Sequence, residues 1–259
     1  MKKLKQKLRD RERICGMHVC LTEPSISELC GGLGYDFLWI DTEHTAIDYQ
    51  TLLYHLMGAK AGGTETLVRI PWNDPIMAKR VLEMGPDGII IPTVNTAEEL
   101  DAAMRATLYP PYGIRGFGPI RAVRYGLEDA NTYIEASRED MVRCVQIESK
   151  QAVENLRDMA KNPYVDCFIF GPCDLSGSIG ELNQVFQEHT SSLIDEAVSI
   201  LKEAGKSIGI STGSSDPEVL TYWHEKGINV ISAGSDYVHI MEGAQRELKT
   251  IREIQCAGE

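Results

Sequence analysis

Acidic, guanidinium and imidazole side chains recur in this sequence at the ends of short apolar runs. Phe37-Leu-Trp-Ile-Asp41 is followed by Glu43 and His44. Arg69 lies inside Val68-Arg69-Ile70-Pro71-Trp72. Further runs close in Gln146-Ile147-Glu148, in Gly171-Pro172-Cys173-Asp174 and in Ser211-Thr212-Gly213. Asp and Glu are rarely buried without a partner. A hard cation is an economical partner for converging carboxylates. Two carboxylates, water and a substrate oxygen suit Mg²⁺ or Mn²⁺. Glu148 and Asp174 are the strongest pair, because they end successive runs. The competing reading is that each acid pairs with an arginine, or that Asp174 caps the helix opened by Asp-Leu-Ser.

An arginine within an apolar strand must meet something anionic. Arg69 can clamp a substrate carboxylate or enolate through its fork, or it can form an internal salt bridge with Asp41 or Glu148. His44 follows Asp41 by three residues. A carboxylate beside a histidine fixes its tautomer and raises its basicity, as general-base work requires. The turn Gly171–Asp174 offers backbone N–H groups to an anion. No Walker motif or GxGxxG is present, and Gly31-Gly32-Leu33-Gly34 follows a helical stretch and reads as its C-terminal turn.

The elements that must position these residues alternate along the chain. Apolar runs are expected as strands at Ile14–Cys20, Phe37–Asp41, Thr66–Ile70, Gly88–Pro92, Arg143–Glu148, Asp166–Gly171, Ser207–Ser211 and Asn229–Ala233. They are continuous rather than alternating, as in parallel strands covered on both faces. Helical patterns fall at Ile26–Leu33, Tyr49–Ala61, Asp74–Met84, Thr96–Ala106, Gln151–Ala160, Leu193–Ala204 and Pro217–Lys226. Asp74 reads as an N-cap followed by Pro75. Thr96 and Glu99 read as a capping box. Eight strands alternating with helices predict an α/β fold, a (β/α)₈ TIM barrel, with residues 1–259 as one domain. A doubly wound sheet is the alternative. In such a barrel the C-terminal strand ends share one mouth, which collects every residue named above. Leu108–Tyr133 is the one long interruption, rich in Pro and Gly and carrying Arg115, Arg121 and Arg124. Tyr237–Gln255 reads as a last helix with Ile240, Met241, Ala244, Leu248 and Ile251 on one face, free to dock on its own barrel or on a neighbour.

Composition narrows the class. The 259 residues carry 26 Lys+Arg against 38 Asp+Glu, a net charge of −12, which argues against nucleic acid as a partner. No apolar run approaches the ~18 residues of a membrane span. The charged start, Met1 to Glu12, has no apolar segment after it, so a cytoplasmic location is expected. Seven cysteines are scattered without a CxxC pair, which argues against a zinc ribbon, a redox motif and a disulfide framework.

Six segments, in order over most of the chain, resemble the HpcH/HpaI aldolase family of class II pyruvate aldolases. They are Asp36–His44, Val68–Pro75, Gly88–Pro92, Tyr109–Gly116, Gln146–Glu148 and Phe170–Ser176. The resemblance implies a phosphoenolpyruvate/pyruvate-type barrel whose last helix is exchanged between subunits, in a homohexamer built as a trimer of dimers. It implies a divalent cofactor, Mg²⁺ or Mn²⁺ with Co²⁺ as a third candidate, held by Glu148 and Asp174. Arg69 then stabilises the pyruvate enolate, and His44 with Asp41 forms the base dyad. Gln146 contacts pyruvate or bound water, and Gly171, Pro172 and Cys173 lead the carboxylate cradle. Ser211 and Thr212 meet the aldehyde half. Cys173 stands where many members carry Ala. The implied reaction cleaves a 4-hydroxy-2-oxo acid to pyruvate and an aldehyde through the enolate. A related metal-dependent lyase acting on an acyl-CoA ester or on oxaloacetate is the runner-up. A Schiff-base aldolase using Lys150 and a non-catalytic barrel are more distant alternatives.

Overall fold

Eight parallel strands close into a barrel in chain order, each paired with the next and the eighth with the first. They are β1 (Ile14–Val19), β2 (Phe37–Asp41), β3 (Glu65–Arg69), β4 (Gly88–Ile91), β5 (Val142–Ile147), β6 (Cys167–Phe170), β7 (Ser207–Thr212) and β8 (Val230–Ser235). The computed structural model describes residues 2–256. The closed ring excludes the open doubly wound sheet.

Two apolar layers hold the barrel. Residues facing outward pack beneath the surrounding helices: Leu38 and Ile40 of β2, Val68 of β3, Val145 and Ile147 of β5 and Phe168 and Phe170 of β6. The alternate residues fill the interior: Phe37, Trp39, Leu67, Ile90, Val142, Cys144, Cys167, Ile169 and Val230. Strand side chains alternate with period two. The same inward face therefore continues upward into Asp41, Arg69, Gln146, Gly171 and Ser211. Apolar residues fill the lower barrel and polar residues its upper end, and that division creates the site. Leu4 and Leu8, from the short helix Leu4–Arg9, join the interior layer and close its N-terminal end. That helix is too short and too charged to stand out in the sequence.

Local signals explain most helix starts. Asp74 Oδ1 accepts the N–H groups of Ile76 and Met77 ahead of helix Pro75–Glu83. Thr96 Oγ1 accepts the Glu99 N–H before helix Ala97–Thr107, but Glu99 bonds back to the N–H of Asn95, one residue earlier than a capping box requires. The expected helix Gln151–Ala160 is broken at Asn155 into Lys150–Glu154 and Leu156–Met159. At the break the Asn155 amide donates to the carbonyl of Asn95, in the neighbouring loop after β4, and to that of Gln151.

The last helix, Asp236–Cys256, runs for 21 residues and buries none after Asp236. Its exposed residues include Ile240, Met241, Leu248, Ile251 and Ile254. At its root the Asp236 carboxylate accepts the N–H groups of Cys20 and Leu21, tying β8 to the end of β1. No helix among the described residues is long and apolar enough to cross a membrane.

Candidate active site

The centre of the mouth is an ion-pair lattice. Arg69, at the end of β3, donates from Nε to Asp41 Oδ1 at 2.9 Å and from Nη2 to Asp41 Oδ2 at 2.6 Å. Its Nη1 lies 2.9 Å from Glu43 Oε2. Both Asp41 and Arg69 are nearly buried. They are brought together because Asp41 and Arg69 are register partners on β2 and β3. Burial pushes the Asp41 carboxyl up, but the Arg69 hydrogen bonds and charge outweigh it and hold it below its ordinary value. The same partners hold Arg69 charged against the cost of burial. Of the five guanidinium N–H groups, two are hydrogen-bonded, both to Asp41, and the Nη1 contact with Glu43 is an ion pair without hydrogen-bond geometry.

The expected Asp41–His44 dyad is absent. Both Asp41 oxygens are taken by Arg69, and Oδ1 also accepts the Glu43 N–H. His44 lies beyond, on the rim, with its side chain 65% exposed and Nε2 3.8 Å from Glu43 Oε2. Asp41 therefore orients Arg69, and the carboxylate nearest His44 is that of Glu43. The sequence shows Glu43 at a strand end but assigns it no role.

Glu148 leaves the end of β5 and turns inward. Gln146 Nε2 donates to its Oε1 at 2.6 Å, and the Thr93 backbone N–H donates to its Oε2 at 3.1 Å. Burial, with Glu43 and Asp174 as like charges nearby, raises its pKa to about 7. Thr93 holds φ +54°, a left-handed backbone that a β-branched residue rarely adopts. That conformation points its N–H at the acid, and nothing in the sequence signals it. Gly171 is opposite: a Cβ there would stand 2.7 Å from Glu148 Oε1 and 2.8 Å from its Cγ. Only glycine leaves room for the carboxylate.

From Gly171 the chain enters the short helix Pro172–Gly177, with Asp174 in its first turn. The amides of Cys173 and Asp174 lie in the first turn, before any intrahelical acceptor. Cys173 is exposed, its Sγ 3.8 Å from Asn183 Oδ1. Ser211, on the inward face of β7, lies 3.4 Å from His18 Nε2, while Thr212 Oγ1 accepts the Ser214 N–H. His18 belongs to no motif in the sequence, although the period-two inward face of β1, Ile14, Gly16 and His18, singles it out.

Of these groups, Glu43, His44, Thr93, Glu148 and Asp174 line a cleft of about 640 Å³, together with Trp72, Asn73, Asn95, Glu99 and Ser149. A cleft of about 580 Å³ at the opposite end, around Thr66, Asp87 and Arg121, gathers no such constellation. There Asp87 is bonded to the N–H and hydroxyl of Thr66.

The cleft's donor set fits a divalent cation. Three carboxylates, Glu43, Glu148 and Asp174, repel one another across it. The Gln146 Oε1 is buried with no hydrogen-bond partner among the described residues. No three His, Cys, Asp or Glu side chains among those residues converge into a complete cage. A cation here would take two protein carboxylates and fill its remaining positions with water or substrate oxygen, as Mg²⁺ commonly does.

Residues 14–242 match the family model described as HpcH/HpaI aldolase/citrate lyase. The chain belongs to this family. Among relatives, a 2-dehydro-3,6-dideoxy-6-sulfogluconate aldolase of Pseudomonas putida is 34% identical over 239 residues, covering 90% of each chain. A 4-hydroxy-2-oxo-heptane-1,7-dioate aldolase of Shigella sonnei (strain Ss046) is 32% identical over 230 residues, covering 89% of this chain and 87% of its own. A solved HpcH/HpaI aldolase/citrate lyase family protein from Burkholderia cenocepacia J2315 superposes with a TM-score of 0.91 at 28% identity, covering 97% of this chain and 100% of that one. The HpcH/HpaI chain described here is thus an aldolase/lyase-type TIM barrel, with its polar constellation at the C-terminal strand ends, where such barrels carry out catalysis.

Proposed function

We propose that this protein is a divalent-metal-dependent aldolase that cleaves a 4-hydroxy-2-oxo acid to pyruvate and an aldehyde through a pyruvate enolate. The observation that carries the reading is that Glu148 and Asp174 line one cleft with Glu43, and that the Asp41-oriented Arg69 lies directly behind Glu43 at 2.9 Å. Glu148 and Asp174 would hold Mg²⁺, Mn²⁺ or Co²⁺. A bound cation would supply Lewis-acid polarisation of the 2-oxo group. The Arg69 charge, held beside the cleft next to Glu43, would favour negative charge on the enolate oxygen. It is oriented before substrate arrives, so little reorganisation accompanies charge development. The first-turn amides of Cys173 and Asp174 receive the carboxylate, with Gly171 and Pro172 setting their position. Gln146 orients Glu148 and offers its unpartnered carbonyl oxygen to water or substrate.

The proton transfer falls to His44. In cleavage it takes the C4 hydroxyl proton, directly or through one water, as the C3–C4 bond breaks. Its exposure on the rim suits a group that meets the aldehyde half entering from solvent. Ser211 and Thr212 line the side toward β7.

The alternatives find less support. Lys150 is 57% exposed, opens a helix and sits 3.8 Å from Glu154, away from the cleft, so a Schiff base has no nucleophile there. Of the arginines available to the phosphates of an acyl-CoA ester, Arg115 is buried against Glu83 at 3.1 Å and stacked on Tyr109. Oxaloacetate decarboxylation passes through the same enolate and remains a side activity of this reading. The uncovered face of helix Asp236–Cys256 suits exchange between subunits of a homo-oligomer, a hexamer by family likeness, within the cytoplasm.

The test is pyruvate release from a panel of 4-hydroxy-2-oxo acids, with each metal and with EDTA. Both named relatives act on substrates with a distal anionic group, so the heptanedioate and sulfogluconate substrates lead the panel. Turnover of oxaloacetate alone would replace the aldolase reading with a decarboxylase.

A further inference from the structure

The cleft that holds Glu148 and Asp174 has a second wall. Around the mouth, the loops after β3 and β4 stand between His44, which follows β2, and Glu148, which follows β5. The first loop contributes Trp72 and the second Asn95 and Glu99, and all three line the cleft. Trp72 is 58% exposed, an indole standing in solvent at the entrance. None of the three has a part in the chemistry derived above.

The Asn95 amide is fixed in one orientation. Ser149 Oγ accepts the Ala152 N–H at 3.0 Å as the cap of helix Lys150–Glu154, so its own proton is free for Asn95 Oδ1, to which it donates. The Asn95 carbonyl accepts from Asn155 Nδ2 at 3.1 Å, and its backbone N–H donates to Glu99 Oε2 at 2.7 Å. Every polar position of Asn95 except the Nδ2 amine is therefore taken, while Glu99 keeps Oε1 as an acceptor. A hydroxyl both accepts and donates, so it can meet the amine and the carboxylate together. An exposed indole beside them offers an apolar face to the carbon chain that bears the hydroxyl.

Charge narrows the ligand further. Glu43, Glu99, Glu148 and Asp174 line the cleft, and among the described residues no lysine or arginine does. A divalent cation offsets Glu148 and Asp174, and Arg69 is already shared between Asp41 and Glu43. Glu99 keeps its charge at the entrance. A carboxylate or sulfonate arriving there would meet like charge, which counts against it.

We infer that Trp72, Asn95 and Glu99 form the subsite for the aldehyde half, and that the preferred aldehyde is uncharged and hydroxylated beyond its carbonyl, the class represented by glyceraldehyde. The inference rests on the aldolase reading above and adds the aldehyde class to it. A 4-hydroxy-2-oxo acid with its 2-oxo end at Glu148 and Asp174 and its C4 hydroxyl at His44 runs its later carbons past the loops that stand between those anchors. The heptanedioate and sulfogluconate of the relatives end in anionic groups and are then the slower substrates for this chain.

The probe is aldol addition of pyruvate, with Mg²⁺, to three aldehydes. They are glyceraldehyde, propionaldehyde, which has the same carbons without the hydroxyls, and succinic semialdehyde, which ends in a carboxylate. C3 of the enolate bonds to the aldehyde carbon, and the aldehyde oxygen takes a proton to become the C4 hydroxyl. Adduct is followed by proton NMR, and rates are corrected for the free-aldehyde fraction. The kcat/KM for glyceraldehyde is expected to exceed each of the others by about tenfold or more, because a site built to bond a hydroxyl rejects the analogue lacking it. Asn95→Ala is expected to lower the ratio to propionaldehyde at least about fivefold. Glu99→Gln is expected to lower the ratio to succinic semialdehyde at least about threefold. A smaller preference over either aldehyde, or a ratio that its variant leaves unmoved, overturns the subsite. A preference for succinic semialdehyde also overturns it, since a cation from a neighbouring subunit would then face the cleft. Exchange of the pyruvate methyl protons in D₂O without aldehyde keeps the two readings apart. Exchange leaves the aldolase reading standing whatever the aldehyde ranking, and neither exchange nor addition overturns both.

Discussion

Asp41 grips Arg69 at both ends of its fork, with Nε–Oδ1 and Nη2–Oδ2 distances of 2.9 and 2.6 Å, from the adjacent register position on the neighbouring strand. The pair is buried, so each charge has given up its hydration and depends on the other for compensation. Breaking such a pair from one side leaves an uncompensated charge, at a cost of about 3–5 kcal/mol. Arg69→Ala is therefore expected to lose both activity and stability, measured by urea unfolding. Asp41→Asn is expected to retain most of the packing but to free the guanidinium, lowering kcat about 100-fold or more with a smaller change in KM. An unaltered kcat in Asp41→Asn would remove Asp41 from the account.

Gly171 gives a second test. Alanine there places Cβ 2.7 Å from Glu148 Oε1. The strand and the following turn have no other reason to reject a methyl group, so the fold should survive by circular dichroism. Displacement of the carboxylate is expected to weaken Mn²⁺ binding about 10–100-fold, the range for disturbed support of a metal ligand. Titration calorimetry with Mn²⁺ reads this directly.

The raised pKa of Glu148, about 7, makes cation binding a competition with a proton. Apparent Mn²⁺ affinity should rise about tenfold per pH unit below that value and flatten above it. In EDTA the same acid acts on stability with the opposite trend. Its folded pKa lies above the ordinary 4.5, so the native state binds the extra proton, and stability falls as pH rises from 4.5 to about 7. The full effect is on the order of 3 kcal/mol. Glu148→Gln should flatten that slope, as followed by urea midpoints across the window.

His18 works in the other direction. Burial first, and then the Arg69 charge, lower its pKa from 6.5 to about 4. The unfolded chain binds the proton more readily between those values. Stability should therefore be lost as pH falls from 6.5 toward 4, by an amount on the order of 3 kcal/mol. His18→Gln should lack this component, read as the difference between the two proteins' stability curves. Parallel curves would mean that His18 is not held neutral by the barrel.

The barrel was legible because its strands are continuous apolar runs at even spacing, and strand ends in a parallel barrel share one mouth. Arg69, Gln146, Glu148, Asp174 and Ser211 could be singled out for that reason alone. What the sequence leaves open is which pairing across strands is made. Asp41 is three residues from His44 in the chain, yet its partner is Arg69, the internal salt bridge that the sequence offers beside the substrate clamp, because register outranks sequence proximity in a sheet. Thr93 gives no signal, since a positive φ on a β-branched residue is imposed by its surroundings. His18 has Ser235 rather than Gly234 as its register partner on β8, through a one-residue slip that no periodicity reveals. The helix break at Asn155 likewise coincides with a tertiary bond to the carbonyl of Asn95.

The central claim is that the Glu148–Asp174 carboxylates and the Asp41-oriented Arg69 together cleave a carbon–carbon bond. Its most direct test is the initial rate of pyruvate release from 4-hydroxy-2-oxoheptanedioate and its sulfogluconate counterpart. The rate is measured for the wild-type protein with Mg²⁺ or Mn²⁺, with EDTA, and beside Glu148→Ala and Arg69→Ala. The account predicts release that requires metal, is abolished by EDTA, returns on adding metal, and falls at least about 100-fold in each variant. Release that persists in EDTA, or that survives in either variant at the wild-type rate, would contradict it.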